Sequence, residues 1–177
     1  MLDKLKKLKA SKELANVYRK VPEEAGGVSY YILDCSKELI LGHYVDEFHL
    51  NGYAIFRLKD IKKIRCSKND RYRNKILKKE GIWQKVGIDY SIDLSSWKTV
   101  LKILKKQGKN IQILGEEPEV DEFVIGKITK VNEKSVKVLY FDATGKWEKE
   151  PRVIPYSEIT LILFEDEYVN IYSKYTR

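Results

Sequence analysis

The sequence has few cysteines and no long apolar run, and each of these absences excludes a class of protein. Its 177 residues include two cysteines, Cys35 and Cys66, too few for a disulfide framework or a zinc site of cysteine pairs. No stretch approaches the roughly 20 apolar residues that a transmembrane helix needs. The basic start MLDKLKKLKA is not followed by the apolar stretch of a secretory signal. We therefore expect a protein of the reducing cytoplasm.

The sequence also lacks the short motifs that mark common catalytic sites. It contains no glycine-rich phosphate loop and no nucleophile elbow. His43 and His49 flank Asp46 and Glu47, but in no recognised metal-ligand spacing. His43 also aligns with Leu139 in the repeat described next, which favours a packing role. We expect no enzyme, no cofactor and no metal site.

What the sequence does contain is an internal repeat. Residue n aligns with residue n+96 over about forty residues without a gap, in pairs such as Leu5 with Leu101, Ile32 with Ile128, and Tyr44 with Tyr140. After an insertion of two residues the offset becomes 98, so that Ile61 aligns with Ile159. Unrelated segments would not keep one register with their apolar positions preserved, so we predict a duplication.

Each copy shows the pattern of a helix followed by five short strands. In the second copy Trp97, Val100, Leu101 and Leu104 have the spacing of one helical face, with Asp93 or Ser95 as the expected cap. Alternating apolar segments then predict the strands, with a loop at 22–27 in the first copy and an acidic loop at 116–122 in the second. The fold class that we predict is mainly β with short helices (α+β), built as tandem duplicated five-stranded barrels, each preceded by a helix.

These patterns divide the chain into three predicted parts. Residues 1–66 form a helix and the first small barrel, and residues 67–93 form a basic helical linker. Residues 94–177 form a helix, the second small barrel and a C-terminal tail.

The pattern of each copy resembles the Sm-like and related SH3-like small barrels. It is carried by NVY at 16–18 in the first copy, and by GKITKVN at 126–132 and IPYSEI at 154–159 in the second. The likeness covers roughly 1–66 and 95–164, and the whole chain resembles uncharacterised bacterial proteins of the low-GC Gram-positive type built from such a pair. The resemblance implies partly open five-stranded barrels.

The resemblance also bears on RNA, because Sm-like proteins generally form rings that bind it. Their base-stacking aromatic and Asn lie on one hairpin, and a basic or Arg-Gly corner lies on another. Here the hairpins read DCSKE and KVNEK, and the corners read RLKD and PYSE. A fold does not specify a function, so the resemblance places no RNA-binding residue on these loops.

Basic residues concentrate in one stretch of the chain. Residues 57–86 contain twelve basic and three acidic residues, and Ser67 with Asp70 predicts the start of a helix there. On that helix several cations would share a face that could meet a phosphate backbone. The candidate nucleic-acid-binding residues are Lys68, Arg71, Arg73, Lys75, Lys78 and Lys79. The alternative is a solvated face on a helix that packs the barrels through Tyr72, Ile76 and Leu77.

Two tryptophans are candidate contacts for a protein partner. Trp83 and Trp147 stand among polar neighbours in the sequence, and exposed tryptophans are frequent anchors of protein interfaces. The function that we predict is therefore a non-enzymatic binding protein that acts through macromolecular interaction, with a protein as the expected partner. The alternative is an RNA- or DNA-binding protein that uses the basic helix.

The two cysteines have apolar counterparts in the repeat. Cys35 aligns with Val131 and Cys66 with Phe164. We therefore predict that both are buried, reduced thiols with a structural role.

Overall fold

The computed structural model describes residues 1–22 and 26–177. They form ten antiparallel strands and four α-helices, so the predicted mainly β, α+β class is confirmed. The chain divides into two compact units, Met1–Ser91 and Ile92–Arg177. The predicted loop at 22–27 lies partly outside the described residues. No helix among the residues described is long and apolar enough to cross a membrane.

The first unit follows the predicted order of a helix and five strands, and adds a second helix. Its elements are α1 (Leu2–Ser11), β1 (Leu14–Arg19), β2 (Val28–Cys35), β3 (Leu39–Asp46), β4 (His49–Arg57), β5 (Ile61–Arg65) and α2 (Lys68–Lys79). Within the unit the strands lie in the order β5-β1-β2-β3-β4.

The second unit repeats this arrangement element by element. Its elements are α3 (Trp97–Gln107), β6 (Ile111–Gly115), β7 (Glu122–Val131), β8 (Ser135–Tyr140), β9 (Arg152–Pro155), β10 (Leu161–Phe164) and α4 (Glu167–Lys174). Within the unit the strands lie in the order β10-β6-β7-β8-β9. Strand for strand this is the order of the first unit.

The register of the ladders reproduces the offsets read from the sequence. Ile32 pairs with Gly42 across β2 and β3, and residues 128 and 138, each 96 further on, pair across β7 and β8. Both ladders shift register at the following residue. Ile40 pairs with Phe56, and residues 136 and 154 pair likewise, at offsets of 96 and 98. Among the described residues β4 is not paired with β5, so the first ladder does not close.

The helix before each ladder buries the face that its apolar spacing predicts. In α3 the four apolar residues of the predicted stripe are all buried, and Gly108 ends the helix with a left-handed φ of 68°. The predicted cap at Asp93 or Ser95 is wrong, because Ser96 forms the capping box with Thr99. In α1 the buried residues are Leu5 and Leu8.

The segment predicted as a linker belongs to the first unit as far as Ser91. Leu77 of α2 and Val86 after it are buried in one cluster with Tyr31 and Val45 of the ladder. A basic helix gives no sequence signal for which element its few apolar residues will contact, so the sequence could not place it.

Candidate binding surfaces

Helix α2 presents a basic face to solvent. Ser67 and Asp70 form the predicted capping box at its start, and Leu77 points into the core with no exposed surface. The exposed cations of the helix are Lys68, Arg71, Lys75, Lys78 and Lys79. Of the residues through which the alternative interpretation packed this helix, Leu77 is buried, but Tyr72 is 67% exposed and does not pack.

Arg73 bonds to strand and hairpin residues of the unit, whereas Arg71 donates to the carbonyl of Cys66 at 2.9 Å, just before the helix, and remains exposed. Nε and Nη2 donate to the carbonyl oxygen of Glu47, and Nη1 donates to Ser29 Oγ at 3.0 Å. The guanidinium carbon lies 5.8 Å from the centre of the Phe48 ring. Arg73 is half-buried and ties α2 to β2 and to the β3–β4 hairpin. Arg73 is therefore less exposed than the other five candidate cations, and its part in nucleic-acid binding stays a prediction.

Both candidate tryptophans are packed. Trp83 is half-buried against the core and donates its Nε1–H to the carbonyl of Lys12 at 3.0 Å. The Nζ atoms of Lys12 and Lys78 lie 4.5 and 4.8 Å from its ring centre. Trp147 is half-buried and meets Phe141 edge-on, with 5.1 Å between ring centres. Neither tryptophan is the open anchor that the sequence suggested.

Each unit has a cleft between the start of its second strand, the end of its third strand and its last helix. The first cleft, of about 470 Å³, is lined by 27–29, 44–48 and Arg73. The second cleft, of about 250 Å³, is lined by Phe123, Ile125, 140–143, Tyr168 and Tyr172. At the offset of 96 the two linings coincide at 27/123, 29/125 and 44–47/140–143.

The second cleft is lined mainly by aromatic side chains. They are Phe123, Tyr140, Phe141, Tyr168 and Tyr172. Tyr168 lies 4.7 Å from Tyr172, and Phe141 stacks on Tyr172 at 6.3 Å, measured between ring centres. Phe123 and Tyr168 are 52% and 48% exposed, so the walls of this cleft remain open to solvent.

One carboxylate, Asp142, lines the second cleft. Its Oδ1 accepts hydrogen bonds from the hydroxyl and backbone N–H of Thr144 and from the backbone N–H of Lys146. These bonds, the one from the Thr144 hydroxyl above all, hold the pKa of Asp142 below its usual value. Burial raises the pKa of the Tyr168 phenol. At neutral pH the second cleft therefore combines neutral aromatic walls with one negative charge.

Helix α4 places Tyr168 and Tyr172 at this cleft. Asp166 caps the helix by accepting from the backbone N–H of Val169 at 2.9 Å, and Val169 is buried beneath the helix. Sequence reasoning missed the cleft because its walls come from three distant segments. The one available signal was the match of residues 166–168 with 70–72, which indicates a second copy of α2.

His43 packs inside the first unit, whereas His49 is exposed. His43 is buried, its ring lies 4.5 Å from that of Tyr53, and its Nδ1 accepts from the N–H of Gly87 at 3.3 Å, so its predicted packing role is confirmed. Within 1–22 and 26–177 no group of three or more potential ligands could hold a metal ion. Cys35 and Cys66 are free but only half-buried, so the prediction of full burial is wrong.

Comparison with known proteins finds no family model, no curated protein and no solved structure that matches the chain. The basic face of α2 and the aromatic second cleft are the two candidate binding surfaces.

Proposed function

We propose that the chain is a non-enzymatic binding protein, and that its second cleft receives a protein partner. The observation that carries the proposal is the group of five aromatic side chains around one open cleft. Exposed apolar patches mark many protein interaction sites, and Phe123 and Tyr168 are about half-exposed here. Aromatic residues are also enriched at the centres of protein interfaces, where they supply much of the binding free energy.

The architecture supports a related proposal about origin. The shared strand order, the matching register and the two clefts support a duplication of one unit of the Sm-like or SH3-like kind. A partly open barrel of that kind is consistent with the open order of each ladder. The free thiols of Cys35 and Cys66 support the reducing cytoplasm as the place of action.

Affinity capture from the source organism with matched variants tests the protein-binding function. Phe123→Ser combined with Tyr168→Ser removes the two most exposed cleft aromatics, and Tyr72→Ser removes the exposed tyrosine at the equivalent position of α2. We expect a protein that is held by the wild type and by Tyr72→Ser but lost from the double variant. The same difference must then appear in a titration with that protein purified. Equal retention by all three chains would contradict the proposal.

A second candidate function, nucleic-acid binding, is favoured by the exposed basic face of α2. Its affinity would come mainly from released counterions and would fall steeply with salt. The test is a filter-binding titration of RNA and DNA at two salt concentrations, with Lys68, Arg71, Lys75 and Lys79 changed to Gln. Arg73 is left intact because its bonds tie the unit together.

The two candidate functions predict different results in that titration. If the partner is a protein, we expect nucleic acid to bind only weakly, with a Kd of roughly 10⁻⁴ to 10⁻⁶ M at physiological salt. A Kd well below 1 μM for the wild type, with binding lost in the quadruple variant, would establish the nucleic-acid function instead.

A further inference from the structure

The two clefts are equivalent in position, but among the described residues only the first is lined by a basic side chain. The first cleft contains a guanidinium of its own, that of Arg73, which lies over the ring of Phe48 and is held by Glu47 and Ser29. The first unit therefore shows an arginine side chain seated where β2, β3 and the last helix meet.

The last helix of the second unit supplies no such side chain. Asp70 and Asp166 occupy matching positions, because each accepts a hydrogen bond from the amide of the matching residue of β1 or β6, Asn16 or Gln112. The third residue after Asp70 is Arg73, whereas the third after Asp166 is Val169, which is buried. Among the described residues that line the second cleft, none is basic.

The second cleft has the chemistry to accept a cation from outside. A guanidinium is attracted to the faces of aromatic rings, and it stacks on them because it is planar and only weakly hydrated. Five aromatic residues line this cleft, against Tyr44 and Phe48 in the first. Asp142 lines it as well and adds a negative charge at the site.

We infer that the second cleft binds an arginine side chain of the protein partner, in the place that Arg73 fills in the first unit. The inference rests on the proposed function, since it names the residue through which the partner is recognised. The guanidinium stacks between aromatic walls contributed by β7, β8 and α4, and Asp142 complements its charge.

A titration of the full chain with short peptides, followed by amide NMR, tests this inference. The probe is acetyl-Gly-Arg-Gly-amide. Its matched control carries citrulline, which has nearly the same shape without the charge. We expect the arginine peptide to shift the signals of 140–143 and 168–172 in a saturable way. The citrulline peptide should bind at least about fivefold more weakly, and a lysine peptide should be intermediate, since ammonium is more strongly hydrated.

Three variants connect the binding to the cleft. Tyr168→Ala should weaken the arginine peptide by about two- to fivefold, the range for an exposed cation–π contact. Asp142→Asn removes the charge while leaving an oxygen to accept the Thr144 and Lys146 bonds, and a similar loss is expected. Tyr72→Ala, at the matching position of the first unit, should leave the affinity for the arginine peptide unchanged.

The result separates this inference from the proposed function. Equal binding of the arginine and citrulline peptides, or shifts that avoid the cleft, would overturn the inference, even if a captured protein still depended on Phe123 and Tyr168. Selective arginine binding that Tyr168→Ala weakens as expected would uphold it, even if no protein were captured and the proposed function failed.

Discussion

At the scale of single residues, the most informative pair is the buried carboxylates Asp70 and Asp166. Asn16 Nδ2 donates to Asp70 at 2.6 Å, and Gln112 Nε2 donates to Asp166 at 3.3 Å. The pKa of Asp70 is lowered and that of Asp166 is raised. Matching positions of the two units therefore hold carboxylates with opposite pKa shifts.

The difference comes from the neighbours of each carboxylate. Burial is the largest influence on both, and it raises the pKa. At Asp70 the hydrogen bonds from Ser67, together with the bonds and charge of Arg65, outweigh burial. The residue at the Arg65 position in the second unit is Leu163, which has no charge, so burial dominates at Asp166.

We predict that Asp70→Asn destabilises the protein by about 1–3 kcal/mol at neutral pH. The two oxygens of Asp70 accept from Asn16, Arg65 and Ser67, and an amide would set an N–H₂ group against one of these donors. Asp166→Asn should destabilise the protein less, because Asn also caps helices well and the substitution removes a buried charge. The free energy of unfolding from urea denaturation measures both.

The same two variants should differ in how their effects depend on pH. Because the folded pKa of Asp70 is lowered, its contribution is present above the ordinary value of 3.8 and is lost as pH falls through the folded value. The difference in free energy of unfolding between wild type and Asp70→Asn should therefore become smaller at acid pH. The folded pKa of Asp166 is raised. The free energy of unfolding of the wild type should therefore increase relative to that of Asp166→Asn as pH falls. Parallel pH profiles would contradict this assignment.

Cys35 and Cys66 provide a second residue-scale prediction. Burial is the first cause that raises the pKa of both thiols above 9.0. We therefore expect alkylation by iodoacetamide to be slower at pH 7 than that of an exposed cysteine peptide, and to accelerate past pH 9, since the thiolate is the reactive form. Cys35→Val, which introduces the residue found at Val131, should change the free energy of unfolding by about 1 kcal/mol or less. Rapid labelling at pH 7 would contradict this prediction.

At the scale of elements, α2 is a part of the first unit with two distinct faces. Leu77→Ala should destabilise the protein by about 2–4 kcal/mol, because Leu77 is fully buried beside Tyr31 and Val86. Tyr72→Ala is the matched control on the open face, and it should change the free energy by no more than about 0.5 kcal/mol. A similar loss of unfolding free energy in the two variants would contradict the packing of the helix through the Leu77 face.

Elements whose residues are close in sequence were the most predictable. The stripe of α3 and the alternation of β8 depend on neighbours a few residues apart, so periodicity alone indicates them. The docking of α2, the packing of Trp83 and the assembly of the second cleft depend on residues distant in sequence. Arg73 looked like any other cation of the helix, although contacts with Ser29 and Glu47 hold it in place.

At the scale of the whole molecule, the two units keep one framework and differ in surface chemistry. Residues 1–91 contain 20 basic and 12 acidic residues, and residues 92–177 contain 14 of each. The excess positive charge thus belongs to the unit with the basic α2 face, and the open aromatic cleft belongs to the neutral unit. A nucleic-acid partner would favour the first unit, and a protein partner the second.

Photo-crosslinking from the two equivalent helix positions tests the central claim most directly. Tyr168→p-benzoylphenylalanine places the reactive group at the second cleft, and Tyr72→p-benzoylphenylalanine places it on the basic face of α2. Because both tyrosines are exposed, neither change should disturb the fold. Irradiation in cells of the source organism should give a discrete adduct with a protein from position 168 and none of that size from position 72. Adducts from position 72 alone that nuclease removes would contradict the account.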